Sequence, residues 1–244
     1  MPTLLGVELL KLRTVRTVWW LLAAAQIVVI AGIAGVMGQN PDLNTASTPI
    51  DALGHVGVVS LFAMVLGITA VAGEYRHRTI TDTYLSEPRR SPVVVAKLIV
   101  YTLAGFAMGL VAAVTALAGT AIWFASKGAS LDLTDPQLWR TVVGCVCWNA
   151  AFAAIGVGLG ALIRHLAPAI AVALAWLALI EGVVSQLLGD AARWLPFRSG
   201  LALGNLPAVQ SATLTQGQAG LALAVYVAAF AALAVWTSVR SDVS

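Results

Sequence analysis

Long runs of uncharged, apolar residues constrain this chain more than any other feature. A helix needs about 20 consecutive apolar residues to cross the hydrocarbon core of a bilayer. The runs at residues 18–38 and 52–72 contain no Asp, Glu, Lys or Arg, and in the run at 166–188 Glu181 is the single exception. The sequence therefore predicts an all-α integral membrane protein in which residues 1–244 form one transmembrane domain. The six predicted spans are residues 18–38, 52–72, 98–122, 141–163, 166–188 and 217–239.

Composition agrees with this class and excludes several others. The chain is 59% hydrophobic and 10% charged, with a mean hydropathy of +0.89, whereas a soluble domain carries about 25% charged residues. Cys145 and Cys147 lie close together in one apolar run and point in different directions on a helix, which predicts packing rather than a disulfide or a metal site. No H-E-x-x-H zinc motif or G-x-S-x-G nucleophile motif occurs, so the sequence indicates no catalytic residues.

The basic residues indicate the orientation of the chain. If the amino terminus is inside, an even number of spans places both termini in the cytoplasm, together with most Lys and Arg residues, as the positive-inside rule requires. We therefore predict a multi-pass protein of the plasma (inner) membrane, whose net charge of +3 reflects topology and anionic lipid rather than nucleic acid. The predicted cytoplasmic basic residues are Lys11, Arg13, Arg16, Arg76, Arg78, Arg89, Arg90, Lys97, Arg164 and Arg240, and the predicted outer ones are Lys127, Arg140, Arg193 and Arg198.

Two further segments lie beside the spans. Residues 3–16 place Leu5, Leu9 and Leu12 at helical spacing, which predicts an amphipathic helix in the cytoplasmic interface. Residues 198–216 are mostly apolar but contain Gly and Pro residues that interrupt a helix. Such backbone is tolerated at membrane depth only against protein or a water-filled cavity. We therefore predict that this segment is re-entrant on the outer side.

Glycine pairs within two predicted spans form faces suited to close helix packing. Gly105 and Gly109 make one small-xxx-small face, and Gly156 and Gly160 make another. Packing within the chain is the favoured interpretation, and a seam between two subunits is the alternative.

The stretch at residues 73–90, GEYRHRTITDTYLSEPRR, is unusually charged for this chain. From Glu74 onward it lies in the predicted cytoplasmic loop 74–97. Within it, residues 79–86 predict a short helix that begins with Thr79 as its cap and ends before Pro88. Two interpretations remain open. The stretch is either a loop whose arginines contact lipid phosphates, or a helix that presents an apolar and charged face to a soluble partner.

Three motifs resemble the permease subunit of an ABC-2 type exporter. They are E-x-x-K-x-R at Glu8, Lys11 and Arg13, G-E-Y-R-x-x-T-I-x-D-T at residues 73–83, and E-P-R-R at 87–90 followed by Lys97. The resemblance covers the whole chain. It implies six spans, an interfacial amino-terminal helix, a re-entrant segment before the last span, and a coupling helix in the first cytoplasmic loop that docks into a groove of the ATP-binding subunit. The docking residues implied here are Glu74, Tyr75, Arg76, Arg78, Thr79, Ile80, Asp82, Thr83 and Tyr84.

The resemblance also implies what other proteins supply. This chain contains no G-x-x-x-x-G-K-[ST] pattern, so ATP and Mg²⁺ would be bound by a separate ABC ATPase subunit and this chain would not itself be an enzyme. Six spans form half of a translocation pathway in this family, which implies a second permease subunit, either a copy of this chain or a paralogue. The implied function is export of a hydrophobic or amphipathic substrate. The alternative is a secondary transporter or channel-like protein without an ATPase, which inverted repeats would favour, and the sequence shows none.

Glu181 is the candidate pathway residue. A carboxylate well inside a span is costly and is expected to face protein or water rather than lipid. Its side chain could line the translocation path, or it could hydrogen-bond Ser185 or Gln186 near the outer interface. Both interpretations stay open.

Overall fold

The computed structural model describes residues 2–39, 47–81, 85, 87, 89–206 and 214–240, which are helices joined by short turns. The helices are α1 (Pro2–Thr14), α2 (Arg16–Gln39), α3 (Ser47–Val58), α4 (Ser60–Arg76), α5 (Arg90–Ser126), α6 (Pro136–Ile163), α7 (Leu166–Ala175), α8 (Glu181–Leu188), α9 (Pro196–Leu203) and α10 (Gln216–Arg240). A π-helical turn, Trp176–Ile180, joins α7 to α8, and a 3₁₀ turn, Gly189–Trp194, follows α8.

Within the described residues, five helical segments are long and apolar enough to cross a membrane, in agreement with the predicted all-α membrane class. In a bilayer an α-helix satisfies its backbone hydrogen bonds internally, so runs of Leu, Val, Ala and Ile adopt this structure. Each segment contains or overlaps one span predicted from the sequence. The segments are Arg16–Gln39, Thr48–Arg76, Arg90–Ser126, Pro136–Ile163 and Gln216–Thr237.

The predicted span at 166–188 has a different structure. It is helical throughout, but the π-helical turn Trp176–Ile180 separates α7 from α8 immediately before Glu181. Turns of this kind are rare in proteins and are frequent at functional sites. The crossing of the membrane by this segment, and with it the total of six spans, stays a prediction.

The centre of the fold is α6, which packs against α4, α5, α10 and α3. Asp135 caps its start by accepting a hydrogen bond from the Gln137 amide at 2.8 Å, and Pro136 follows as the first helical residue. Arg164 ends it in the left-handed conformation, with φ 58°. Local sequence signals therefore fix where this central helix begins.

Glycines let α6 approach its neighbours backbone to backbone. A Cβ atom at Gly156 would collide with the Met64 backbone on α4. A Cβ atom at Gly160 would lie 2.8 Å from the Ile68 carbonyl oxygen, which is also on α4. On α5, a Cβ atom at Gly105 would lie 2.5 Å from the Ala153 Cβ atom of α6, and one at Gly109 would lie 3.1 Å from the Val146 Cα atom of α6. Both predicted glycine faces therefore pack helices within this chain.

The segment between α4 and α5 is shorter than the predicted loop 74–97. Because α4 continues to Arg76 and α5 begins at Arg90, both Glu74 and Lys97 lie in helices. The predicted helix 79–86 is described only in part. Ile80, Thr81 and Leu85 are helical, and Asp82, Thr83, Tyr84 and Ser86 lie outside the described residues.

The two segments beside the spans are helical over part of their described length. The helix α1 covers most of the predicted interfacial segment 3–16. In the segment 198–216, α9 packs against α10 and α6, and the Gln216 side chain donates a hydrogen bond to the Leu203 carbonyl at 2.9 Å. Pro207 lies outside the described residues.

Candidate functional site

Four charged side chains form a cluster where α1, α4 and α5 meet. On α5, Lys97 Nζ lies 3.0 Å from both carboxylate oxygens of Glu8 on α1 and 2.6 Å from Oε1 of Glu74 on α4. On α1, Lys11 Nζ lies 2.8 Å from Glu8 Oε1 and 2.6 Å from Glu74 Oε1. Each lysine therefore contacts both glutamates, and this four-charge cluster is neutral as a whole.

The four-charge cluster is largely buried. Lys97 is 1% exposed, Glu8 is 3% exposed and Glu74 is 9% exposed. Lys97 also donates a hydrogen bond to the Ala70 carbonyl at 3.0 Å. Because buried charges are costly to desolvate, they are stable only when they are paired and hydrogen-bonded. The cluster therefore depends on α1, α4 and α5 staying together.

Lys11 is the most exposed member of the cluster, with 31% of its side-chain surface accessible. Burial lowers its pKa, but hydrogen bonds to Glu74 and Glu8 more than offset this effect, so the pKa of Lys11 is raised above its ordinary value of 10.5. A raised lysine pKa stabilises the folded state below the ordinary value, and that contribution is lost as pH rises through the folded-state pKa. Lys11 therefore stays charged across the physiological pH range.

The sequence pointed to these residues but not to their arrangement. Glu74 is predicted as a docking residue, whereas the structure places its carboxylate inside the protein between Lys11 and Lys97. A signal for the cluster was present, because Glu8, Lys11, Glu74 and Lys97 lie beside apolar runs, where an unpaired charge is costly. Which charges pair with which could not be read from spacing, since Glu8 and Lys97 are far apart in the chain.

The turn after α4 has a defined geometry. Arg78 adopts the left-handed conformation with φ 57°, and its amide donates to the Tyr75 carbonyl at 3.3 Å. The Thr79 amide donates to the Glu74 carbonyl at 3.0 Å. These two hydrogen bonds form a Schellman motif, which ends a helix by satisfying its last carbonyls. The chain then turns so that Ile80, which is 4% exposed, packs into the protein.

Three of the predicted docking residues face the protein itself. Glu74 belongs to the four-charge cluster, and Ile80 is buried after the turn. The Tyr75 ring lies 5.6 Å from the guanidinium carbon of Arg164, which is a cation–π distance. These three side chains therefore help to hold the turn in place, and of the three, Glu74 and Ile80 are buried whereas Tyr75 is half-buried.

The exposed side chains of this segment are the ones available to another molecule. Arg76, Arg78 and Thr79 are exposed, as the docking prediction requires. Leu85, which the docking prediction did not include, is 77% exposed. Asp82, Thr83 and Tyr84 lie outside the described residues, so their docking role stays a prediction. We refer to the exposed residues Arg78, Thr79, Thr81 and Leu85 as the loop surface.

The Glu181 side chain links α8 to the start of α9 through a hydrogen bond. It is 2% exposed and therefore faces the protein interior. Its Oε1 accepts a hydrogen bond from the Arg198 amide at 2.9 Å, near the start of α9. Ser185, which the sequence suggested as a partner of Glu181, instead accepts from the Arg198 guanidinium at 3.3 Å. Glu181 thus acts as an acceptor for a helix amino terminus supplied by another segment, and a role in the pathway stays a prediction.

Replacing Glu181 separates these two roles. Glu181→Gln keeps an acceptor for the Arg198 amide, whereas Glu181→Ala removes it and is expected to cost about 1–2 kcal/mol, as the loss of a helix cap does. Thermal unfolding of both variants in detergent measures this difference. If the carboxylate serves the pathway instead, both variants lose transport while their stabilities stay alike.

An apolar cavity of about 360 Å³ lies between α4, α6, α7 and α10. Its lining includes Met64 and the aromatic residues Phe152, Trp176, Tyr226 and Phe230. Ligand sites in proteins commonly have about this volume and are lined mainly by apolar and aromatic side chains. The cavity is therefore suited to the apolar part of a small molecule.

Comparison with known proteins identifies a matching family. The family model described as "ABC-2 family transporter protein" matches residues 4–180. This match spans well over half of the chain and includes the four-charge cluster and the loop surface, and it ends just before Glu181. No curated protein matches the chain.

Proposed function

Because the chain belongs to the ABC-2 family of transporter proteins, we propose that it is the permease subunit of an ATP-driven exporter. As a family member it is a multi-pass membrane permease. In the proposed complex, a separate ABC ATPase subunit binds ATP with Mg²⁺, and a second permease subunit is either a copy of this chain or a paralogue. The complex lies in the plasma membrane with both termini of this chain in the cytoplasm, and its substrate is hydrophobic or amphipathic.

The observation that best supports an ATPase partner is that the loop surface is connected to both α4 and α5. The segment that carries it follows the end of α4 and precedes the start of α5. Near these two ends, Glu74 Oε1 and Lys97 Nζ are joined at 2.6 Å inside the four-charge cluster. A force on the loop surface would therefore act on α4 and α5 together.

The packing of α4 and α5 suggests how this force would reach the membrane core. Both helices pack against α6, and α4 does so through the close contact at Gly156. Tightly packed interfaces move between discrete arrangements rather than deform continuously. In the proposed cycle, ATP brings two ATPase subunits together, each subunit displaces one loop surface, and the helices shift so that the pathway opens on the other side.

The apolar cavity supports the proposed substrate class. It borders α4, one of the helices that the loop surface would move, and its lining is apolar and aromatic. A hydrophobic molecule, or the apolar part of an amphipathic one, would exchange lipid contacts for aromatic contacts there.

Changing the loop surface tests the ATPase partner. The double variant Arg78→Glu/Leu85→Ala reverses one exposed charge and removes the exposed apolar side chain. Loss of a central anchor commonly costs an interface about 2 kcal/mol or more, so ATPase recovery with the tagged permease is expected to fall at least about tenfold. Export of the substrate should fall with it.

The matched control is Arg140→Glu, which reverses an exposed charge in α6 outside the loop surface. It is expected to leave ATPase recovery unchanged. Equal recovery with the double variant and with wild type would refute docking at the loop surface. Export that persists without any ATPase would favour the secondary transporter instead.

A further inference from the structure

A second cavity, of about 540 Å³, opens beside the four-charge cluster. Its lining includes Thr17 and Val18 at the start of α2, Arg76 at the end of α4 and Leu166 at the start of α7. Because α2 and α4 belong to membrane-spanning segments that end here, the cavity lies where hydrocarbon gives way to lipid headgroups. The interfacial helix α1 contributes Lys11 to the same lining.

The cavity lining has two chemically different parts. One part is apolar and comes from Val18, Leu66 and Ala70 within the spans. The other part is basic and comes from Arg76 and His77, which are exposed at the end of α4. An amphiphile with a negatively charged headgroup matches both parts at once.

The charges around the cavity leave a positive excess at its mouth. Among the described lining residues Glu74 is the acidic one, but its Oε1 binds both Lys11 and Lys97 and its Oε2 is buried from solvent. The four-charge cluster to which it belongs is neutral. Within the part of the chain that the structure describes, Arg76 makes no ion pair. Among these described residues, no carboxylate therefore compensates its charge at the mouth of the cavity.

We propose that this cavity binds an anionic phospholipid of the cytoplasmic leaflet. The phosphate lies against Arg76 and His77, because a guanidinium forms paired hydrogen bonds with phosphate oxygens. The upper part of an acyl chain lies against Leu66 and Ala70. A lipid bound there would contact α1, α2 and α4 together and would hold the interfacial helix on the four-charge cluster.

The test uses the purified permease alone in detergent, so its result does not depend on an ATPase. The probes are dioctanoyl phosphatidylglycerol, dioctanoyl phosphatidylcholine and the chain-free headgroup glycerophosphoglycerol, with binding measured by calorimetry. The anionic lipid is expected to bind at least tenfold more tightly than the zwitterionic one, and the headgroup alone is expected not to bind measurably. Equal affinity for the two lipids would overturn the proposal.

Variants separate a defined site from general attraction to a basic surface. Arg76→Gln/His77→Gln alters only exposed side chains and should reduce phosphatidylglycerol binding to the level of phosphatidylcholine. Thr69→Trp, which fills the cavity from its wall, should abolish binding of both lipids. The control Lys127→Gln/Arg140→Gln removes two exposed charges outside the cavity and should change nothing. Unchanged phosphatidylglycerol binding in Arg76→Gln/His77→Gln would refute the site even if Thr69→Trp did not fold.

Discussion

Replacing Lys97 with methionine is expected to lower the free energy of unfolding by about 3–5 kcal/mol, the usual cost of removing one partner from a buried ion pair. Methionine is similar to lysine in length, so the packing of the side chain changes little. The variant leaves Glu8 and Glu74 with Lys11 alone, and one negative charge stays buried without compensation. Denaturant or thermal unfolding in detergent micelles, followed by circular dichroism, measures the loss.

A second substitution tests whether charge is the cause. Adding Glu8→Gln to Lys97→Met restores neutrality, because Lys11 then faces Glu74 alone. The double variant is expected to be more stable than Lys97→Met, which is a coupling that independent sites do not show. Lys127→Met, at an exposed position, serves as the matched control. A double variant that is less stable than Lys97→Met would contradict this account of the cluster.

Replacing Gly156 with leucine is expected to lower the free energy of unfolding by about 3 kcal/mol, at the upper end of the usual range for overpacking. Its Cβ atom would meet the Met64 backbone, which cannot rotate away as a flexible side chain can. The reciprocal contact has the same character, since a Cβ atom at Gly67 on α4 would meet the Ala153 carbonyl oxygen on α6. The two helices would therefore have to separate. The same unfolding measurement applies.

Gly35→Leu is the matched control for this prediction. It makes the same change in a membrane-spanning helix, but a Cβ atom at Gly35 would meet nothing within 4 Å. It is expected to leave stability unchanged or to raise it slightly, because leucine has a better helix propensity than glycine. Equal losses from Gly35→Leu and Gly156→Leu would mean that glycine itself, and not close packing, matters at both positions.

The membrane-spanning helices could be predicted because the bilayer imposes a length and an apolar composition that can be counted in the sequence. The π-helical turn in the segment 166–188 could not be predicted in this way. Nothing in the sequence around Glu181 distinguishes a π-helical turn from a regular helix, since that choice depends on how the segment packs against the rest of the protein. The acceptor role of Glu181 was missed for a similar reason, because its partner amide belongs to Arg198 in another segment.

The docking residues, too, could be predicted only as far as contacts with distant segments do not decide their orientation. The charged stretch drew attention to the end of α4, where Arg76, Arg78 and Thr79 are exposed. Helical periodicity alone could not show that Glu74 and Ile80 turn inward. That outcome follows from the left-handed Arg78, which ends α4, and from Lys97, which pairs with Glu74 from another helix.

The central claim is that the loop surface contacts an ATPase, and cross-linking in intact cells tests it most directly. A photoreactive amino acid replaces Thr79 on the loop surface in one sample and the exposed Gln137 of α6 in another. Captured proteins are then identified by mass spectrometry. The account predicts that position 79 captures a protein with an ABC nucleotide-binding domain and that position 137 does not. Failure of position 79 to capture such a protein, or equal capture from both positions, would contradict it.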